Sequence, residues 1–170
     1  MKKNILILFF LVTAQILFAQ DETPGSTEFK VTGKVKSEKS FSQEDWRLLR
    51  EVELKNVNIS CSPKKEDIAK VVKGVLVKDL LDSVKFDYEN RKELNEYYFL
   101  FEATDGYRVV FSFNEIYNTS TGKNLYIVTE INGKKITESA SGVLLLVTTD
   151  LKPGSRNVKW LERIVVCKAE

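Results

Sequence analysis

The chain has 170 residues, 26 basic and 24 acidic side chains, a formal charge of +2 and no histidine. That length suits one domain with one sizeable core. The missing histidine excludes a His-based catalytic triad, a His-ligated zinc and a histidine general base.

Lys2 and Lys3 precede an almost wholly apolar run, Ile5 to Phe18, and Ala19 offers a small residue for cleavage. This is the pattern of a secretory signal peptide, and the run is short for a membrane span. Residues 1–19 are expected to be removed. The product is then periplasmic or extracellular and keeps no membrane span. An uncleaved N-terminal anchor is the alternative. Loss of this segment takes away two lysines and no acid, leaving 24 bases against 24 acids. Lys34, Lys36, Lys39, Lys64 and Lys65 are interleaved with Glu and Ser. They read as solvated faces, so no nucleic-acid partner is expected.

Residues 20–28 are polar, carry Pro24-Gly25 and read as a flexible lead-in to a domain over residues 29–168. Phe29 to Val35 alternates apolar and polar residues, as a strand does. Ser42 and Asp45 stand at capping-box spacing, flanked by Phe41 and Trp46 at staple positions, and open a short helix. Val52 to Cys61 is a strand whose alternate residues from Val57 face the core. Ser62-Pro63-Lys64-Lys65 breaks it. Ile68 to Val72 is another strand. Within Val75 to Val84, the residues Leu76, Leu80, Leu81 and Val84 share a helical face. Phe86 to Asn95 is charged and reads as a loop or a solvated helix.

Tyr97 to Phe101 is aromatic and apolar, which suits a buried strand. Asp105-Gly106 is a hairpin signal, because glycine accepts φ > 0 and Asp tolerates it. Tyr107 to Phe111 returns, and Ser112 with Glu115 forms a second capping box, stapled by Phe111 and Ile116. Residues 118–124 read as a loop. Asn132-Gly133 is a second hairpin turn, between Leu125–Ile131 and Lys135–Thr137. Gly142 to Thr149 is a buried strand, Lys152 to Asn157 a loop, and Val158 to Cys167 a helical turn and a strand. Strands and short helices mix without strict βαβ alternation. The class is α+β: a single compact domain with a mixed β core and short helices.

Several motifs recur in one order. Phe29–Val35 with the Ser42 helix resembles "F-x-V-x-G-x-V … S-x-x-D-W". Gly74 to Leu81 resembles "G-V-x-L-x-D-L-L", and Ala103 to Glu115 resembles "A-x-D-G-Y-x-x-x-F-S-x-x-E". Asn132 to Ile136 resembles "N-G-x-x-L", and Gly142 to Val147 resembles "G-P-L-R-L-V". Gly154 to Ile164 resembles "G-x-R-S-V-K-W-L-x-x-I". Together they resemble the molybdopterin-binding domain of sulfite-oxidase-like oxidoreductases.

That resemblance implies a mixed α+β domain. It also implies a molybdenum held by one cysteine thiolate, in "L-x-C-x-G-N-R-R". Cys61 stands at that place, but Ser62-Pro63-Lys64-Lys65 replaces the Gly-Asn-Arg-Arg. The "H-N" segment and the "G-W-Y" before Gly154 are absent, and Asn157 replaces the Ser of "R-S-V-K". Arg156 and Lys159 remain as candidate phosphate partners.

Three readings follow. In the first, the protein keeps the fold without a cofactor and serves as a non-catalytic binding or partner module outside the cytoplasm. Its partner would be a protein or a small molecule. In the second, it is a molybdopterin-dependent oxidoreductase. Cys61 would then be the metal ligand, Arg156 and Lys159 would hold the cofactor, and Asp105 and Tyr107 would line the substrate side. In the third, Cys61 and Cys167 form a redox pair, which no C-x-x-C supports. An exported chain allows those two cysteines a disulfide, with a chain-entropy gain of about 4–5 kcal/mol. As turn, core and surface residues, Asp105, Cys61 and the two cations each have a plain structural role as well. Asn58-Ile59-Ser60 and Asn118-Thr119-Ser120 fit the glycosylation sequon.

Overall fold

The computed structural model describes residues 25–170. The expected signal segment, residues 1–19, lies outside them, as does the first part of the lead-in. Ten strands form two five-stranded sheets. Among the described residues, no helix is long and apolar enough to cross a membrane.

The first sheet contains β1 (Phe29–Gly33), β2 (Lys39–Phe41), β5 (Tyr97–Ala103), β6 (Arg108–Ser112) and β10 (Leu161–Lys168). Its order is β2-β1-β10-β5-β6. β1 runs parallel to β10, and the other pairs are antiparallel. The second sheet contains β3 (Val52–Asn58), β4 (Ile68–Leu76), β7 (Leu125–Ile131), β8 (Lys134–Lys135) and β9 (Leu145–Val147). Here β4 and β7 lie side by side, and β8 and β9 both pair with β7.

Alternation places Phe29, Val31, Phe99, Phe101, Phe111, Ile164 and Val166 in the main core, where they meet Val75, Leu125, Ile127 and Leu145 of the second sheet. The far face of the second sheet is covered too, by a smaller cluster around Val72, Val128, Ile136, Leu144 and Leu146. Burial on both faces explains why Leu125 to Val128 is continuously apolar. Each such side chain contributes about 1.5–3 kcal/mol by leaving water.

Among the described residues, three short α-helices punctuate the sheets: α1 (Gln43–Trp46), α2 (Val77–Leu81) and α3 (Phe113–Asn118). At α1 the Asp45 carboxylate accepts from the Ser42 N–H and hydroxyl at 2.8 and 3.0 Å. Trp46 is fully buried and stacks on Phe29, which stacks on Phe41. At α3, Ser112 Oγ accepts from the Glu115 N–H at 3.1 Å, while the Ser112 N–H donates to Glu115 Oε2 at 2.8 Å. Both boxes stand where the spacing puts them.

Elsewhere the boundaries move. The helix expected over Val75–Val84 begins only at Val77, because Val75 and Leu76 extend β4 to pair with Ile127 and Tyr126. The β7 edge offers main-chain partners that outweigh a helical period of leucines. β1 stops at Gly33, and Val35 bridges to Phe86 instead. Lys39–Phe41 is a strand that periodicity misses. Arg91–Glu96 and Ile136–Glu138 form 3-10 turns. The Asn132-Gly133 turn has both residues at positive φ, +50° and +83°, as a two-residue hairpin needs.

Candidate site around Cys61

The site begins where β3 ends. Asn58 Oδ1 accepts from the N–H groups of Ser60 and Asp67, at 3.0 and 3.1 Å, and turns the chain. Ser60 is buried, and its Oγ both donates to Ser62 O and accepts from Ser62 N–H, each at 3.1 Å. Cys61 is thereby held half-buried between two fixed serines.

The loop after β9 supplies the seat. Asn157, fully buried, donates from Nδ2 to Ser60 O and accepts at Oδ1 from Val147 N–H, both at 2.8 Å. One amide thus satisfies two buried main-chain groups from different elements. Gly154 has φ +86°, and a Cβ there would lie 2.6 Å from Ser60 O. Only glycine allows the two loops to approach so closely.

The β5–β6 hairpin closes the third side. Asp105 Oδ1 accepts from Tyr107 N–H at 2.9 Å, and the Tyr107 hydroxyl donates to Ser155 O at 2.7 Å. Asp105 is therefore a turn-forming residue, and Tyr107 ties that turn to the Gly154 loop. Burial pushes the Cys61 thiol above its ordinary 9.0. The Lys159 charge and main-chain N–H oppose that rise, and the Asp105 charge adds to it. Cys61, Asp105, Tyr107 and Lys159 thus gather at one end of the molecule.

Arg156 does not join them. Its Nε and Nη2 donate to the two Asp150 oxygens at 2.9 and 2.6 Å, and its Nη1 to Glu115 Oε1 at 3.0 Å. The guanidinium lies 4.3 Å from the Phe111 ring centre. These hydrogen bonds, led by those to Asp150, hold its pKa above the ordinary value.

The two cysteines are free. Cys61 neighbours Lys159, just before β10, whereas Cys167 lies near that strand's far end, opposite Tyr98. The strand runs from Leu161 to Cys167 between those two points, roughly 20 Å at the usual rise. A disulfide needs Cα atoms within about 7 Å, so neither the bridge nor the redox pair forms in this fold. Among the described residues, no group of three or more Cys, Asp or Glu side chains converges to hold a metal.

Ser60 and Asn157 build the site, and Asp150 holds Arg156 away from it, although none of the three is among the candidate residues of the sequence. Asn157 carried a signal, since it replaces the serine of the motif that Gly154 to Ile164 resembles. Ser60 and Asp150 carried none.

A family model described as the oxidoreductase molybdopterin binding domain matches residues 18–170. None of the curated proteins matches the chain. Eleven chains of known structure do. Among them is the sulfane dehydrogenase SoxCD from Paracoccus pantotrophus, with 14% identity and a TM-score of 0.55. The likeness covers 82% of this chain but 37% of that one, so this chain spans little more than a third of that relative. At that identity the likeness speaks for the fold: mixed sheets and short helices in one compact domain. With the match running from residue 18 to the last residue, the chain belongs to the oxidoreductase molybdopterin binding domain family.

Proposed function

We propose that this protein is an exported member of the family that uses the fold as a binding or partner module and performs no molybdenum chemistry. The observation that carries this reading is the engagement of Arg156. A pyranopterin phosphate needs several free donors converging on it. Arg156 directs three of its donors to Asp150 and Glu115 instead. Lys159 is the other candidate cation, and it stands beside the sulfur. The segment after Cys61 is tied down by Ser60, Asn157 and the glycine contact, and its sequence lacks the Gly-Asn-Arg-Arg run. On this reading the residues present do not fit the cofactor. Export is supported by the Lys2-Lys3 start and the apolar run, which falls almost wholly before the family match.

A second reading, a molybdopterin-dependent oxidoreductase with Cys61 as metal ligand, is favoured by one observation. A half-buried sulfur meets a lysine charge, a main-chain N–H and an aspartate at one end of the fold. The family's description and the sulfane dehydrogenase in its fold class lean the same way.

Expression in a host that makes molybdopterin separates the two. The exported protein is purified, its molybdenum and tungsten are measured, and its absorption is scanned for pterin. The proposal expects far less than one metal per chain. Stoichiometric metal that disappears in Cys61→Ser overturns it.

A further inference from the structure

The outermost strand of a sheet offers unpaired main-chain groups, and proteins blunt such edges with short length, charge, proline or a break in the strand. Most edges of this fold are blunted. β2 is three residues long and carries Lys39, and β8 is Lys134-Lys135 alone. β3 carries Glu53 and Lys55, and its Asn56 leaves the extended region at φ +52°. β9 is covered where Leu145 bridges to Val158. β6 is the exception. Its five residues, Arg108 to Ser112, pair with β5 without a register shift and include no proline or lysine. Its one charge, Arg108, is drawn onto the buried Glu102 at 2.6 Å.

The hairpin fixes which groups of that edge are unpaired. Ala103 N–H donates to Tyr107 O at 2.9 Å. Main-chain bonding alternates along an antiparallel pair, so Phe101–Val109 and Phe99–Phe111 are the next bonded pairs. The N–H and C=O groups of Arg108 and Val110 therefore point away from β5. Because β6 ends its sheet, those four groups have no partner among the described residues. Ser112 differs, since its N–H donates to Glu115. Exposed apolar side chains gather at the same edge. Val110 is 48% exposed and Tyr107 42%. Leu151 is fully exposed beside Asp150, which holds Arg156 over the Phe111 ring.

We propose that β6 pairs with β6 of a second copy of this chain, antiparallel about a two-fold axis at Val109. The Arg108 N–H then donates to the partner's Val110 O, and the Val110 N–H to the partner's Arg108 O. Symmetry doubles both bonds, and all four free groups are satisfied. The edge is its own complement: each copy offers two donors and two acceptors at the spacing that the other needs. A register centred on Val110 is poorer, because it sets Arg108 against Ser112, whose N–H is taken. In the favoured register Arg108 lies opposite the partner's Val110, so no like charges oppose each other. The two five-stranded sheets become one continuous sheet. The assignment uses neither Cys61 nor its charged neighbours, so it holds with or without a cofactor.

Sedimentation equilibrium of the purified exported protein tests it, together with hydrogen exchange at low and high protein concentration. The interface is small, so the expected dimer is weak, with a Kd of about 10–100 μM. The Arg108 and Val110 amides should gain protection as dimer forms. Val110→Pro removes one outward N–H and leaves the β5 side intact, so it should weaken association at least tenfold. Val110→Lys places a cation opposite the partner's Arg108 and should weaken it about tenfold. Val110→Glu places an anion there and should tighten it about threefold. Unchanged urea midpoints certify that the variants fold. A protein that stays monomeric to 1 mM, roughly tenfold or more above that Kd, overturns the proposal. So does a dimer that Val110→Pro and Val110→Lys leave intact, or a Val110→Glu variant that dissociates as Val110→Lys does. A monomer whose Val110 amide is protected only by an added extended peptide also overturns it.

Discussion

Arg156 grips Asp150 with two parallel donors, and its third reaches Glu115 at the head of α3. The Arg156 and Asp150 side chains are 27% and 13% exposed, so the pair sits largely out of water. It joins the loop after β9 to the β6–α3 corner. Arg156→Ala leaves two carboxylates without their cation, one of them nearly buried, and should cost about 2–4 kcal/mol. Arg156→Lys keeps the charge but loses the fork and should cost roughly half as much. Urea unfolding of the two variants measures both. Losses that are negligible in both would mean that the guanidinium is not structural and is free for a ligand.

Glu115 gives this corner a pH dependence. Burial pushes its carboxyl up, but the Ser112 N–H and Arg156 outweigh burial and hold it below its ordinary 4.5. A depressed folded-state pKa stabilises the protein above the unfolded value, and that share is lost as pH falls through the folded one. The advantage of wild type over Glu115→Gln should therefore be constant near neutral pH and shrink below about 4.5. Urea midpoints of both proteins between neutrality and acid give the comparison. A gap that widens on acidification would reverse the sign argued here.

What the sequence discloses is what closes within a few residues. The Ser42–Asp45 and Ser112–Glu115 boxes, the Asp105-Gly106 corner and the Asn132-Gly133 turn all span at most four positions. Their donors and acceptors meet whatever the remainder of the chain does. Val75-Leu76 departs from the local helical period because its partner, β7, lies some fifty residues away, and strand pairing overrides that period. The site suffers more from distance. Asn157 meets Ser60 across 97 positions, and Arg156 meets Glu115 across 41. The motif places Cys61, Arg156 and Lys159 in sequence but says nothing of where their side chains turn. In the motif Arg156 reads as a phosphate cation, whereas in the fold Asp150 holds it.

Gly154 and Gly106 share a left-handed backbone but differ in surroundings. Both have φ near +85°, at +86° and +84°, yet a Cβ at Gly106 meets nothing within 4 Å. At Gly154 it meets Ser60 O at 2.6 Å and Ser62 N at 3.2 Å. Gly106→Ala should cost about 1–2 kcal/mol, the strain of the conformation alone. Gly154→Ala adds a main-chain clash and should cost about 2–4 kcal/mol. It should also loosen the Ser60–Ser62 loop and speed alkylation of Cys61, which Gly106→Ala leaves unchanged. Equal costs at the two positions would show that the Gly154 loop does not seat the cysteine.

The Cys61 thiol reports directly on its two charged neighbours. Burial raises its pKa above 9.0, Lys159 pulls it down and Asp105 pushes it up. In a Cys167→Ser background, the rate of iodoacetamide alkylation against pH follows the thiolate of Cys61 alone. The midpoint should lie above 9.0. Lys159→Met removes a charge that favours the thiolate, so the midpoint should move further up. Asp105→Asn removes a charge that opposes it, so the midpoint should move down. Opposite displacements from two residues on different loops require that both charges act on one sulfur. If both variants instead leave the midpoint in place, Lys159 and Asp105 do not converge on Cys61, and the grouping of the three into one site is wrong.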